Sequence, residues 1–319
     1  MTKVLVTGCT GFIGSHFVKY AIEKTNWDIV GFNRHSDQRN LARLEGAISN
    51  PRFHLMYGDL SNNSNVSGIL EDVDYCINFA AKTFVDHSIR DARPFVESNI
   101  LGTVNLLEEA ARNKNTLCKF VQVSTDEVYG AILNGAYKED ARLNPTNPYA
   151  AAKAGADMMA LAYYHTYKTP VIITRTENNF GEYQHPQKAL PKFVKYAMMG
   201  KALPIYGDGN HSRMWLYVEE HCSAILHLLE YGETGEVYHV AGEQELTNNE
   251  LADIVLTTLD KPRNNVEHIS DFNIRPGHDR RYALNTDKIR TTGWEPKYKL
   301  SDKLADVIRW YRDNEWWSK

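Results

Sequence analysis

The chain has 319 residues, enough to bury a full core and to build one large domain with a smaller lobe. Its formal net charge of -4 offers no basic footprint for nucleic acid, so any phosphate must be bound locally. The four cysteines (Cys9, Cys76, Cys118, Cys222) have no metal-ligand spacing, and no apolar run reaches the about 20 residues that span a bilayer. Lys3 leads at once into the apolar run Val4-Leu5-Val6, not into a signal sequence. A cytoplasmic protein with reduced thiols, no bound metal and no membrane partner is the expectation.

In chain order, β-branched runs predict strands over 3–7, 28–33, 53–57, 75–79, 119–124 and 171–175. Their lack of polar alternation suits strands buried on both faces. Helices are predicted between them over 13–25, 64–70, 94–113 and 148–168. This rhythm defines an α/β chain with a doubly wound parallel sheet. Beyond Arg175 it breaks: 177–191 and 207–211 read as loops, 191–199, 218–231, 248–260 and 301–314 as helices, and 237–240 as a strand. Residues 1–175 plus about 215–240 are therefore assigned to a dinucleotide-binding domain, and 176–214 plus 241–319 to a discontinuous C-terminal substrate lobe.

Thr7-Gly8-Cys9-Thr10-Gly11-Phe12-Ile13-Gly14 joins the first strand to the first helix. Glycines there allow a tight bend and let backbone amides and the helix N-terminus approach a pyrophosphate. Gly58-Asp59-Leu60 follows the third strand and places a carboxylate near the adenine; Asn78-Phe79-Ala80-Ala81 supplies small residues at the fourth. The acidic residue expected about 20 residues beyond the glycines is missing. Asn33-Arg34-His35-Ser36 stands there instead, and Arg34 and Arg39 suit a 2′-phosphate, which leaves NAD and NADP both open.

Tyr149 and Lys153 share one helix face just after Pro148, and a lysine ammonium there is expected to lower the phenol pKa. Ser124-Thr125-Asp126-Glu127 closes the fifth strand, the edge at which open α/β sheets hold their sites. Two adjacent carboxyls in different environments can divide into an acid and a base.

On these motifs, with RTENNFG from Arg175, LPIYGDG from Leu203, RMWLYVEEH from Arg213 and RPGHDRRYALN from Arg275, the chain resembles the nucleotide-sugar 4,6-dehydratases. These are extended short-chain dehydrogenases with a Rossmann-type fold, and the dTDP-glucose branch is the nearest. The resemblance implies a tightly held NAD or NADP recycled each turn, with Lys82, Asn99 and Ser124 completing its pocket. It implies that Tyr149 takes the C4 hydroxyl proton while Thr125 holds that hydroxyl, that Glu127 removes the C5 proton, and that Asp126 protonates the departing C6 hydroxyl. Thr83 is implied at the sugar, Asn178 and Arg213 at the diphosphate, and Lys188, Pro204, Tyr206, Asn248, Arg275 and His278 around the nucleotide. A homodimer through the 94–113 and 148–168 helices is implied as well.

The chain departs from that pattern at Lys82-Thr83-Phe84, Gln187, Ala189 and Met214, which leaves the nucleobase open. The rivals are a 4-epimerase or decarboxylase of the same superfamily, which has no task for two acids, and a non-catalytic dinucleotide sensor, which needs no Tyr-Lys pair.

Overall fold

The computed structural model describes residues 1–34, 38–270 and 278–318. Among the described residues twelve strands follow in chain order: β1 Lys3–Thr7, β2 Asp28–Asn33, β3 Phe53–Tyr57, β4 Tyr75–Asn78, β5 Lys119–Thr125, β6 Val171–Thr176, β7 Asn178–Phe180, β8 Leu203–Tyr206, β9 Ser212–Tyr217, β10 Val237–Val240, β11 Glu245–Thr247 and β12 Val266–Ile269. Seven of them form one sheet in the order β10-β6-β5-β4-β1-β2-β3, with every pairing parallel. Chain order reverses at β1, between β2 and β4, and the glycine turn leaves the sheet at that switch point.

Both faces of this sheet are covered, as its apolar strands demand. Phe17, Val18 and Ala21 of the Phe12–Lys24 helix, with Cys222, Ile225 and Leu229 of Val218–Tyr231, bury Val4, Val6 and Ile29 on one side. On the other, Leu106, Leu107 and Ala110 of Gly102–Arg112 and Ala160 of Pro148–Tyr167 cover Leu5, Phe120 and Ile173. The edge strand β3 departs from the buried pattern, with Met56 and Tyr57 about half exposed.

A second core gathers Phe180, Leu190, Phe193, Trp215, Leu251, Val255, Leu304, Ile308 and Tyr311. It lies among the helices Ala189–Met198, Asn248–Thr258 and Leu300–Asp313, a three-stranded sheet β11-β9-β7 and the pair β12-β8. The expected loop 177–191 thus contains β7 and the start of a helix, and β8, β9, β11 and β12 were not anticipated.

The helix expected over 94–113 is three pieces: Arg93–Phe95, a π-helical turn Val96–Leu101, and Gly102–Arg112. The wide turn carries buried Asn99, whose side chain accepts from the Lys82 amide at 2.8 Å and donates to the Lys82 carbonyl at 3.0 Å. Such turns occur where a helix serves a site. No helix among the described residues is long and apolar enough to cross a membrane.

Candidate active site

The carboxyl edge of the large sheet and the second core enclose an open cavity of about 700 Å³. Gly8, Gly11, Phe12, Ile13 and Gly14 line one end; Ser124, Thr125, Glu127, Tyr149 and Lys153 line the other. The glycine turn is built for close backbone approach. Gly8 has φ +66°, and a Cβ on it would stand 2.8 Å from the Ala80 nitrogen; one on Gly14 would stand 2.4 Å from the Gly8 carbonyl oxygen. The helix begins at Gly11 with no capping side chain among the described residues, so its first amides remain available for an anion. This cradle fits the pyrophosphate of a dinucleotide.

Around it, Arg34, Ala81, Lys82 and Thr83 also line the cavity. Burial disfavours the charged form of Asp59. The Ser61 amide and hydroxyl, at 2.9 and 2.8 Å, together with Arg34 and Lys82 outweigh that and hold its carboxyl below the ordinary range. Asn33 ends β2 with its side-chain amide on the Arg34 carbonyl at 2.6 Å. Five expected cofactor residues, Asn33, Asp59, Leu60, Ala80 and Asn99, do not line the cavity. Ala80 packs on Gly8, Leu60 belongs to the sheet core, and Asn99 clamps the Lys82 backbone. Arg275, His35, Ser36 and the side chain of Arg39 lie outside the described residues.

At the reacting end, Asn147 caps the Pro148–Tyr167 helix by accepting from the Ala150 amide at 2.9 Å. The helix brings in Tyr149 and Lys153, both buried. Lys153 Nζ donates to the Val123 carbonyl at 2.6 Å. Burial lowers its pKa to about 8 against the opposing charge of Asp157, which is itself ion-paired with Arg175 at 2.9 Å. The phenol of Tyr149 moves opposite to the expectation. Burial and the charges of Glu127 and Asp126 raise its pKa, and a hydrogen bond with Thr125 offsets only part of this. Lys153 uses one of its three donors on the Val123 carbonyl, and it also lines the large cavity.

The two carboxyls at the tip of β5 sit in different surroundings. Glu127 lines the large cavity and a second one of about 210 Å³, and accepts from the Asn147 side chain at 3.3 Å. Asp126 is 3% exposed, below the wall: Oδ1 accepts from the Thr125 hydroxyl at 2.9 Å, and Oδ2 has no partner among the described residues. Burial first, then Glu127, pushes its pKa up to about 7.

The second cavity holds Asn178, Lys188, Pro204, Tyr206, Arg213, Asn248 and His278 together with Glu127. Arg213 is fixed in advance. Its guanidinium donates to the carbonyls of Ser212, Asp279 and Arg280 at 2.7, 2.9 and 3.3 Å and lies 4.4 Å from the Tyr282 ring centre. Such a guanidinium meets a diphosphate with little ordering cost. Lys188 donates to the Thr83 carbonyl at 3.2 Å and so joins the two cavities.

Sequence reasoning missed Glu177, Asn147 and Tyr282. Glu177 lines the large cavity at 3% exposure, with Oε1 accepting from the Leu284 amide at 2.8 Å. Its place after Arg175-Thr176, at the end of β6, was the available signal.

A dinucleotide turn at the switch point and a Tyr-Lys helix at the same sheet edge define an enzyme of the extended short-chain dehydrogenase class. Within that class the chain belongs to the GDP-mannose 4,6-dehydratase family, whose profile matches residues 5–307. It is 41% identical to the low-salt glycan biosynthesis protein Agl12 of Haloferax volcanii, over 97% of this chain and 98% of that one. It is also 41% identical to dTDP-glucose 4,6-dehydratase of Streptomyces niveus, over 99% and 94%. The solved structure of DesIV, the dTDP-glucose 4,6-dehydratase of Streptomyces venezuelae, contains bound NAD. It superposes with a TM-score of 0.94 at 40% identity, covering 99% of this chain and 98% of that one.

Proposed function

We propose that the protein is a nucleotide-sugar 4,6-dehydratase that converts dTDP-glucose to the 4-keto-6-deoxy sugar nucleotide, with NAD in the large cavity. The observation that carries this reading is the division between Asp126, held protonatable near neutrality, and Glu127, open to both cavities, beside the Tyr149 phenol. A nicotinamide dinucleotide supplies a reversible hydride acceptor for C4 and donor for C6. The chain supplies the rest. Tyr149 takes the C4 hydroxyl proton while Thr125 holds that hydroxyl, and Lys153 fixes the helix face against β5. The resulting ketone acidifies C5, whose proton Glu127 removes, and Asp126 protonates the C6 oxygen as water departs. Arg213 and Asn178 hold the diphosphate, while Lys188, Pro204, Tyr206, Asn248 and His278 enclose the nucleoside and Thr83 borders the sugar.

In this reading residues 1–175 plus about 215–240 bind the dinucleotide, and 176–214 plus 241–319 bind the sugar nucleotide. The relatives named for dTDP-glucose support the thymidine nucleotide. NAD is supported by the DesIV complex. A cytoplasmic homodimer completes the reading, formed by Arg93–Arg112 and Pro148–Tyr167 with a second copy, since Val96, Leu101 and Met158 on these helices are 49%, 44% and 44% exposed.

Incubation with dTDP-glucose in deuterated water tests the chemistry. The expected product absorbs in alkali as a 4-keto sugar and carries deuterium at C5. A galactose product without deuterium at C5 would replace this reading with epimerisation.

A further inference from the structure

We propose that Asp126 and Glu177 form a carboxyl pair that holds one proton between them, and that Glu177 resupplies the proton Asp126 gives to the departing C6 hydroxyl. The proposal rests on the dehydratase reading and adds a positioning residue to it.

The geometry begins with the sheet. Thr125 of β5 pairs with Thr176 of β6, so Asp126 and Glu177 are the next residues at neighbouring strand exits, on strands about 4.8 Å apart. Each is 3% exposed and uses one carboxyl oxygen: Asp126 Oδ1 takes the Thr125 hydroxyl, and Glu177 Oε1 takes the Leu284 amide. Each leaves the other oxygen buried with no partner among the described residues. Two ionised carboxylates offer only acceptors, so neither can satisfy the other. A proton on one turns it into a donor, which two ionised carboxylates lack.

The surrounding charge favours a single proton. Asp126 faces Glu127 beside it, Arg213 from β9 and the Tyr149 phenol. Glu177 faces Asp126, Glu245 of β11 and Arg281. Two arginines against four carboxyls do not support full ionisation. Burial and then the Asp126 charge keep the Glu177 carboxyl well above its ordinary range, so Glu177 is the member that stays protonated when Asp126 ionises.

The reaction needs such a reserve. In one turn Tyr149 gains the C4 hydroxyl proton and Glu127 gains the C5 proton. The C6–O bond breaks as Asp126 gives its proton to the leaving oxygen, which departs as water. The electron pair taken from C4 returns at C6, and a proton returns to C5. Tyr149 therefore ends with one proton more and the carboxyl pair with one fewer. The shared proton leaves through Asp126; Glu177 then takes one up from the cavity it lines and shares it again with Asp126.

The test compares wild type and Glu177→Gln on dTDP-glucose and on dTDP-6-deoxy-6-fluoroglucose, whose fluoride leaves without a proton. For E177Q, kcat on dTDP-glucose is expected to fall about 10- to 100-fold. Turnover of the fluoro sugar and the single-turnover rate of C4 oxidation should hold, and the alkaline limb of kcat should move to lower pH. Equal loss on both substrates, or no loss on either, overturns the proposal. If E177Q does not fold, Glu177→Asp is judged by the same ratio. A second readout needs no substrate. At mildly alkaline pH the wild type should show a protonated-carboxyl stretch in the infrared that E177Q lacks, and its absence from wild type also overturns the pair. Failure of wild type to form a 4-keto sugar, with that stretch present, refutes the dehydratase reading alone.

Discussion

Asp126 shows what burial does to one side chain. Its carboxyl is raised from 3.8 to about 7, so the native state binds more protons than the unfolded chain between those values. Its contribution to stability is therefore present below pH 3.8 and is lost as pH rises through about 7. Catalysis needs the same proton, so kcat for elimination should fall as pH rises through that region, unless Glu177 holds the limb higher. Asp126→Asn should lower kcat on dTDP-glucose by about 10²- to 10⁴-fold. It should also raise the Tm measured at mildly alkaline pH, because no charge is left to desolvate. An unchanged Tm there would place the carboxyl in solvent. Tyr149 follows the same logic: a phenol raised by burial and by two neighbouring carboxyls needs positive charge nearby before it can act as a base.

Two turns set the accuracy of the site. Asn147 caps the Pro148–Tyr167 helix with its side-chain oxygen and tethers Glu127 with its side-chain nitrogen. Asn147→Ala should cost about 1 kcal/mol in denaturant unfolding, and Asn147→Ser should recover most of that. Both should slow proton removal at C5, read as a slower rate of deuterium incorporation, because serine keeps the cap and drops the tether. Gly14→Ala would drive a methyl group against the Gly8 carbonyl, shifting the turn by a few tenths of an ångström or more. Retention of NAD should then weaken about 10- to 100-fold by titration calorimetry, the worth of one lost charge-assisted bond. Unchanged affinity would show that the turn does not hold the pyrophosphate.

At this scale the sequence was informative where one element sufficed. Most strands of the large sheet stand out as apolar runs, although Phe53–Tyr57 has no β-branched residue, and Tyr149 and Lys153 stand out as neighbours one helical turn apart. β7 and β11, at three residues each, sit inside stretches that carry Asn and Gly and leave no periodic trace. The π-helical turn at Val96–Leu101 keeps an ordinary apolar rhythm while its backbone bonds shift by one residue. Glu177 was hidden because its burial comes from distant partners, the Val240 carbonyl that takes its amide and the Leu284 amide that reaches its carboxyl.

For the whole molecule, the exposed Val96, Leu101 and Met158 give the dimer a direct test. Light scattering at micromolar concentration should report twice the chain mass, and Leu101→Glu with Met158→Glu should halve it while the circular dichroism of the fold persists. A wild-type monomer would remove the interface.

The order β10-β6-β5 bears on how the chain is made. β6 is complete at Thr176, yet the strand that covers its outer edge does not end until Val240. During synthesis, a half-made sheet therefore presents a row of unpaired amides and carbonyls to its neighbours on the polysome. A fragment of residues 1–176 should sediment as aggregate, and co-expression with 177–319 should return it to the supernatant. A fragment that stays monomeric alone would mean that another segment guards the edge until β10 arrives.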